Sequence, residues 1–168
     1  MAAVTTAMIK ELRESTSTGV MDAKRALEAA DGDMQKAKEI IREQGLAAAA
    51  KRSERATSQG VIESYIHGGG RIGVIVELNC ETDFVANTPD FRQLAKDIAL
   101  QVAAMNPLVV SPADRKPDME GKDEEVALTA MPFIRESGRT IGELVTEVIG
   151  KTGENVRINR FARFELGQ

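Results

Sequence analysis

The sequence predicts an α+β protein in which a helical module precedes an antiparallel sheet core with helices packed on it. Apolar residues recur at helical spacing over residues 5–55, and the period changes to alternation after residue 60. A short glycine-rich segment joins the two alternating stretches, as in a β-hairpin. The chain has 168 residues, 42% of them hydrophobic and 29% charged. This composition is typical of one soluble globular domain, or of a small domain with an attached module.

Three short helices are predicted in a module at residues 1–45, because apolar residues there follow the helical period. The predicted helix ends are the stretch Thr16–Gly19, the turn Asp31-Gly32 and a stop at Gly45. Asp33 supplies a cap for the start of the third helix. An alanine-rich segment that follows predicts a helical linker at 46–60.

An α+β core is predicted for residues 61–168. Residues 61–67 and 71–79 alternate between two faces and read as strands, and Gly68-Gly69-Gly70 provides the hairpin connection. One face of the second strand carries the apolar side chains of Ile72, Val74, Val76 and Leu78. These two strands begin the sheet of the core.

The rest of the core adds two helices and a strand. Pro89 opens a helix that extends to about Met105. Residues 111–125 are polar and contain proline, which predicts a linker, and a helix is predicted near 140–150. The final strand covers residues 155–165.

Motifs of covalent chemistry are missing from the sequence. One histidine and one cysteine cannot supply the usual four ligands of a zinc ion, and neither CxxC, HExxH nor GxSxG occurs. Gly68-Gly69-Gly70 lacks the lysine and hydroxyl residue of a phosphate-binding loop, and Ser64 with His67 reflects strand alternation. A hydrolase for acidic substrates would need paired carboxylates in a cleft, which the spacing does not offer. We predict a protein that is not an enzyme and uses neither metal nor cofactor.

The charge distribution argues against a nucleic-acid partner. The net charge is −4, whereas phosphate-binding proteins usually show a basic excess. Lys51, Arg52 and Arg55 form only a small patch without interleaved aromatic residues. In the last strand, alternation places Arg157 and Arg163 on the face opposite Arg160, so no basic strip is expected.

The chain is expected in the cytoplasm. Its single cysteine, Cys80, excludes an internal disulfide framework and suits a reducing compartment. No segment reaches the roughly 18 apolar residues of a membrane span, and the charged residues close to the N-terminus do not fit a signal peptide. Cys80 itself is expected to be a small buried residue.

The most informative segment is Asn79–Asn87, which lies between the second strand and the helix at Pro89. Its Phe84 is flanked by polar residues. The residue pattern favours Phe84 as a plug of its own core, because most phenylalanines are buried. The alternative is a projecting anchor, for which an aromatic ring offers a large contact area at low entropic cost.

Three separated parts of the chain carry a family resemblance. They are Ile9–Glu14 with Thr18–Leu27 and Gly32-Asp33; Arg71–Val74 with Asn79–Ala86; and Pro132–Ile134 with Gly153–Val156 and Arg160-Phe161. Together they resemble bacterial elongation factor Ts, the family of nucleotide exchange factors for elongation factor Tu. The first part resembles the family's ubiquitin-associated (UBA)-like three-helix module. The second contains its Thr-Asp-Phe-Val signature, here Thr82–Val85.

The resemblance implies a guanine nucleotide exchange factor that acts without covalent chemistry. It implies that Asp83 and Phe84 insert between two helices of the partner's GTP-binding domain and dislocate the Mg²⁺ ion and the nucleotide phosphates. Thr82 and Val85 complete this site, and Phe84 becomes a projecting anchor. It further implies that Arg13, Val20 and Met21 contact the same domain. The implied partner states are GDP-bound and nucleotide-free elongation factor Tu.

Two further expectations concern assembly. Longer relatives of the family carry two core halves and a helical insertion, whereas this chain has one half, with residues 111–125 in place of the insertion. Because short relatives resemble dimers, we expect a homodimer formed through sheet packing. The alternative function is a binding adaptor that uses the helical module and does not accelerate nucleotide release.

Overall fold

The computed structural model describes residues 4–168 and has the predicted α+β architecture. The first three residues of the predicted module lie outside the described part. In chain order the elements are α1 (Thr6–Thr16), α2 (Val20–Ala29), α3 (Met34–Arg52), β1 (Gln59–His67), β2 (Ile72–Cys80), α4 (Asp83–Ala86), α5 (Pro89–Met105), α6 (Asp123–Val126), β3 (Pro132–Phe133), β4 (Glu136–Thr140), α7 (Ile141–Thr152) and β5 (Val156–Glu165).

The three N-terminal helices pack around a small apolar cluster of their own. The Thr5 hydroxyl accepts a hydrogen bond from the amide of Met8 at the start of α1, and the Asp33 carboxylate accepts two at the start of α3. Helix α1 ends where Ser17 adopts a left-handed conformation. The buried members of the cluster are Leu12, Ala23, Ala26, Leu27, Ala30 and Ala37. Because four of the six are alanines, the helices approach closely but bury little apolar area.

Helix α3 does not stop at Gly45, so that prediction is wrong. The helix continues to Arg52 through the segment predicted to be a linker. A Cβ at position 45 would lie 3.3 Å from Cγ2 of Thr146 on α7. The glycine is therefore a place of close helix packing, and α3 carries the N-terminal helices onto the core.

The main sheet has three antiparallel strands in the order β1-β2-β5. The predicted hairpin joins β1 to β2, and its three glycines all have positive φ angles, which other residues rarely adopt. Helix α5 covers one face of the sheet, which we call the inner face, and carries Phe91, Ile98 and Val102 into the core. The opposite, outer face bears exposed side chains from all three strands.

A β-bulge in β5 changes which arginines share a face. Glu77 pairs with Arg160 and Leu78 with Ile158, so the residue of β5 between Ile158 and Arg160 has no pairing partner on β2. Arg157 and Arg160 therefore share the outer face, and Arg163 lies on the inner face, where its Nε donates to the carbonyl of Ala103 at 3.2 Å. The predicted arrangement, with Arg157 and Arg163 opposite Arg160, is wrong because simple alternation does not account for a bulge.

The polar segment 111–125 folds into short turns around Arg115. One Nη of this guanidinium donates to the carbonyls of Met119 and Gly121, each at 2.8 Å, and the other contacts the Asp123 carboxylate. A turn of 3-10 helix covers Pro112–Asp114. Local side-chain hydrogen bonds hold this segment, which buries few apolar residues.

Candidate functional site: an exposed phenylalanine on a braced turn

The signature Thr-Asp-Phe-Val forms the start of α4, a helix of four residues directly after the central strand. Thr82 is its N-cap, and the Thr82 hydroxyl accepts a hydrogen bond from the amide of Val85 at 3.4 Å. Threonine is a good N-cap residue, and Asp83 in the first turn complements the positive end of the helix. Local sequence preferences therefore explain why the chain turns here.

Phe84 projects away from the protein, with 82% of its surface exposed. The burial favoured by the residue pattern alone is therefore wrong. The reason lies in its neighbours, because Val85 and Ala86 take the inward positions of the turn and join the core cluster. Asp83 is exposed beside Phe84, whereas Thr82 is half-buried.

A carboxylate from a distant part of the chain braces this turn. Oε2 of Glu154 accepts a hydrogen bond from the amide of Thr82 at 3.0 Å, and Oε1 accepts one from the Thr82 hydroxyl at 2.6 Å. The register that pairs Val156 with Cys80 brings Glu154 opposite Thr82, just beyond the end of the ladder. The amino-acid sequence gives no reason to pair Glu154 with Thr82, because 72 residues separate them.

The residues next to Thr82 and Glu154 extend this network to the end of α3. Oε1 of Glu81 accepts a hydrogen bond from the amide of Asn155 at 2.6 Å and pairs with Arg55 at 3.4 Å. Asn155 is buried, and its side-chain Nδ2 donates to the carbonyls of Ser53 and Arg55. Three segments that are remote in sequence thus meet below the turn that carries Phe84.

Cys80 is buried at the end of β2, and its thiol donates to the carbonyl of Thr82 at 3.1 Å. Burial raises the pKa of Cys80 to about 11, and the negative charges of Glu154 and Asp83 act in the same direction. The thiol therefore stays protonated at neutral pH and serves packing, as the sequence suggests.

The other predicted contact residues lie on the N-terminal helices. Arg13 is exposed near the end of α1, and Val20 and Met21 open α2 with 51% and 62% of their surfaces exposed. In the described part of the chain, no hydrogen bond or ion pair joins these three residues to Thr82–Val85. Arg13, Val20 and Met21 on the N-terminal helices and Asp83 and Phe84 on α4 are exposed.

The Phe84 ring lies on the open surface of the molecule. Within residues 4–168, no group of three or more His, Cys, Asp or Glu side chains is placed to hold a metal ion. Two depressions in that range are a cleft of about 130 Å³ between α5 and α7 and a groove along the end of α3. Neither is lined by Thr82–Val85.

Comparison with known proteins decides the family. The family model described as elongation factor TS matches residues 2–132. The elongation factor Ts of Carboxydothermus hydrogenoformans is 48% identical, with 98% of this chain and 90% of the relative aligned. That of Syntrophus aciditrophicus is also 48% identical, with 98% of this chain and 97% of the relative aligned. That of Desulfosudis oleivorans is 41% identical, with both chains fully aligned.

The chain belongs to the elongation factor Ts family. This confirms the resemblance drawn from the signature and from the flanking stretches. Thr82–Val85, Arg13, Val20 and Met21 all lie within the part matched by the elongation factor Ts model. The alignment with the Desulfosudis protein extends over 198 positions, 30 more than the 168 residues of this chain. That relative therefore has residues without a counterpart here.

Among residues 4–168, no helix is both long enough and apolar enough to cross a membrane.

Proposed function

We propose that this chain is a cytoplasmic guanine nucleotide exchange factor that promotes GDP release from elongation factor Tu during translation elongation. The observation that carries the proposal is the exposed Phe84 on a braced turn, in a chain of the elongation factor Ts family. A large apolar side chain held away from its own core loses favourable burial, which contact with a partner can restore.

The mechanism needs differential binding and no covalent step. In this proposal Asp83 and Phe84 insert between two helices of the partner's GTP-binding domain and displace the Mg²⁺ ion and the phosphates. Phosphate and metal sites depend on closely placed charges and amide groups, so a small displacement weakens them. Because linkage is reciprocal, a factor that binds the nucleotide-free partner more tightly must weaken GDP binding by the same ratio.

The four signature residues would have different tasks. Asp83 and Phe84 are exposed and would touch the partner. Val85 is buried in the core cluster and Thr82 is hydrogen-bonded to Glu154, so these two would support the turn from within. This division refines the expectation that all four residues bind the partner.

The N-terminal helices would provide a second contact with the same GTP-binding domain, through Arg13, Val20 and Met21. We assign it to the UBA-like module at residues 1–45. The apolar surfaces of Val20 and Met21 are exposed side by side at the start of α2. Residues 46–60 then join this module to the core at 61–168, which would contact the partner's third domain.

We also propose that the chain forms a homodimer through the outer face of its sheet. Outward positions of an antiparallel sheet are usually polar, yet here they include Ile62, Ile66, Ile75 and Phe164, all exposed. Since these residues lie on three neighbouring strands, they form one apolar patch that a second copy of the same patch would cover.

The decisive experiment is stopped-flow release of a fluorescent GDP analogue from elongation factor Tu. An aromatic hot spot is worth about 2 kcal/mol or more, which corresponds to about 30-fold in rate. We expect F84A to lose about this factor in catalysed release, and D83A to be impaired as well. L108A is the matched control, because Leu108 is another exposed apolar residue.

The outcomes separate the two candidate functions. Loss of catalysed release in F84A with normal release in L108A supports the insertion of Phe84 into the partner. If the wild-type protein binds elongation factor Tu but leaves spontaneous release unchanged, the exchange proposal is refuted. The adaptor function, carried by the exposed Val20 and Met21, would then be the better explanation.

A further inference from the structure

We infer that Glu154 is a positioning residue for exchange, because its carboxylate holds the turn that presents Phe84. The inference rests on the proposed function of Phe84 and adds a residue outside the Thr-Asp-Phe-Val signature. It is carried by the two hydrogen bonds from Thr82 to Glu154, at 3.0 and 2.6 Å.

The first step concerns the stability of α4. A helix of four residues cannot sustain itself in water, since helix nucleation is unfavourable and a single turn gains few hydrogen bonds. The turn must therefore be held by tertiary contacts. On its inner side it has the packing of Val85 and Ala86, but Phe84 itself contributes little because it is exposed.

The second step concerns the Thr82 hydroxyl, which has one proton to donate and two lone pairs. Its proton goes to Oε1 of Glu154, so a lone pair remains for the amide of Val85 at the first turn of α4. Without Glu154 the hydroxyl is free to rotate, and the helix cap loses its fixed direction. The charged acceptor makes both bonds to Thr82 stronger than bonds between neutral groups.

The third step concerns how firmly Glu154 itself is held. Gly153 ends α7 in a left-handed conformation, and the following Asn155 is buried and bonded to Glu81 and to the end of α3. Strand β5 begins one residue later and pairs with β2. The backbone on both sides of Glu154 is therefore held in place, as the backbone of a supporting residue for a binding group should be.

The test compares E154A, E154Q and the control E54A in the GDP-release assay at several protein concentrations. Loss of a hydrogen bond to a charged acceptor corresponds to about tenfold in rate. We expect E154A to lower the maximal release rate by about tenfold, while the half-saturating concentration changes less than about threefold because the N-terminal contact remains. Glu54 is exposed, so E54A removes the same charge without disturbing Thr82.

Three variants distinguish positioning from general stability: E154Q, T82V and the double variant T82V/E154A. Glutamine keeps one acceptor oxygen for the Thr82 amide, so E154Q should recover release to within about threefold of wild type. T82V removes the hydroxyl. Because both changes break the bond between the Thr82 hydroxyl and Glu154, the loss in the double variant T82V/E154A should be smaller than the sum of the two single losses. If the loss of activation free energy in T82V/E154A equals the sum of the losses in T82V and E154A, the inference is overturned.

Hydrogen–deuterium exchange gives a readout that does not depend on nucleotide release. In E154A the amides of Val85 and Ala86, which bond to Thr82, should exchange faster, while amides in the middle of β2 keep their protection. Unchanged protection at these two amides would overturn the inference. So would normal nucleotide release by E154A when F84A is impaired. If F84A itself releases GDP normally, the proposed function fails instead, and the two failures are distinguishable.

Discussion

Glu147 on α7 lies between two cationic side chains and links three elements. It contacts Arg139 from β4, and its Oε1 lies 2.9 Å from Nζ of Lys151, which also reaches Asp90 on α5. Burial raises the pKa of Glu147, but hydrogen bonds from Lys151 and Ser17 and the nearby positive charges outweigh it. The pKa therefore lies below its ordinary value of 4.5.

This direction predicts a pH-dependent contribution to stability. A carboxyl with a lowered pKa in the folded state stabilises the fold above its ordinary pKa of 4.5 and loses this effect as the pH falls through the lowered value. We expect E147Q to lower the free energy of unfolding by about 1 kcal/mol at neutral pH. The difference from wild type should shrink at a pH below the lowered value. Urea unfolding at fixed protein concentration measures the free energy of unfolding of both proteins at each pH. The exposed Glu11 changed to Gln serves as the control. An undiminished difference in acid would contradict the assignment.

The general tendency of phenylalanine to be buried gives the wrong prediction for Phe84. Most phenylalanines are buried, but the spacing of the turn gives the inward positions to Val85 and Ala86. Only the family resemblance predicts a projecting ring. Glu154 lies in a stretch that carries the family resemblance, but nothing in a single sequence indicates its contact with Thr82, because 72 residues separate the two.

At the scale of elements, the helices and strands agree closely with the hydrophobic period. The helix from Pro89 to Met105 and the strands on either side of the hairpin are confirmed. The errors occur where packing overrides a local signal. A glycine such as Gly45 usually marks the end of a helix, yet α3 continues through this position, where α7 packs closely against it.

Gly60 provides a test at this scale, because strand β2 approaches it closely. A Cβ built at this position would lie 2.1 Å from the carbonyl oxygen of Leu78 and 2.8 Å from Cα of Asn79. Since these are backbone atoms, the strands must separate to admit it. We expect Gly60→Ala to destabilise the protein by about 1–3 kcal/mol. Thermal unfolding checks this, with Gly138→Ala in β4 as a control, because a Cβ at Gly138 meets nothing within 4 Å. Equal melting temperatures for the two variants would contradict the prediction.

At the scale of the whole molecule, the main sheet has two unlike faces. The inner face is covered by α5 and belongs to the large core cluster. The outer face shows Ile62, Ile66, Ile75 and Phe164, and is flanked by the ion pair between Glu77 and Arg160. The bulge in β5 contributes to this face, because it keeps Phe164 on the same side as Ile75.

The dimer proposal predicts that a single charged substitution on the outer face dissociates the dimer into monomers. Sedimentation velocity should give a wild-type mass of twice 18.2 kDa and a mass near 18.2 kDa for Ile75→Glu. Ile75 lies on the central strand, so a carboxylate there would be buried without a partner in the dimer. Leu108→Glu, at an exposed apolar residue outside the sheet, should remain dimeric. A monomeric wild-type protein at tens of micromolar would refute the proposal.

The α+β class, the order of the major elements and the family can all be predicted from the sequence alone. These follow from periodicity, caps and short motifs, which are local in the chain. The tertiary structure decided which side chains meet. It placed Glu154 against Thr82, carried α3 through Gly45 and moved Arg163 to the inner face. Such contacts depend on strand register and helix packing, which join residues far apart in sequence and leave no periodic trace in it.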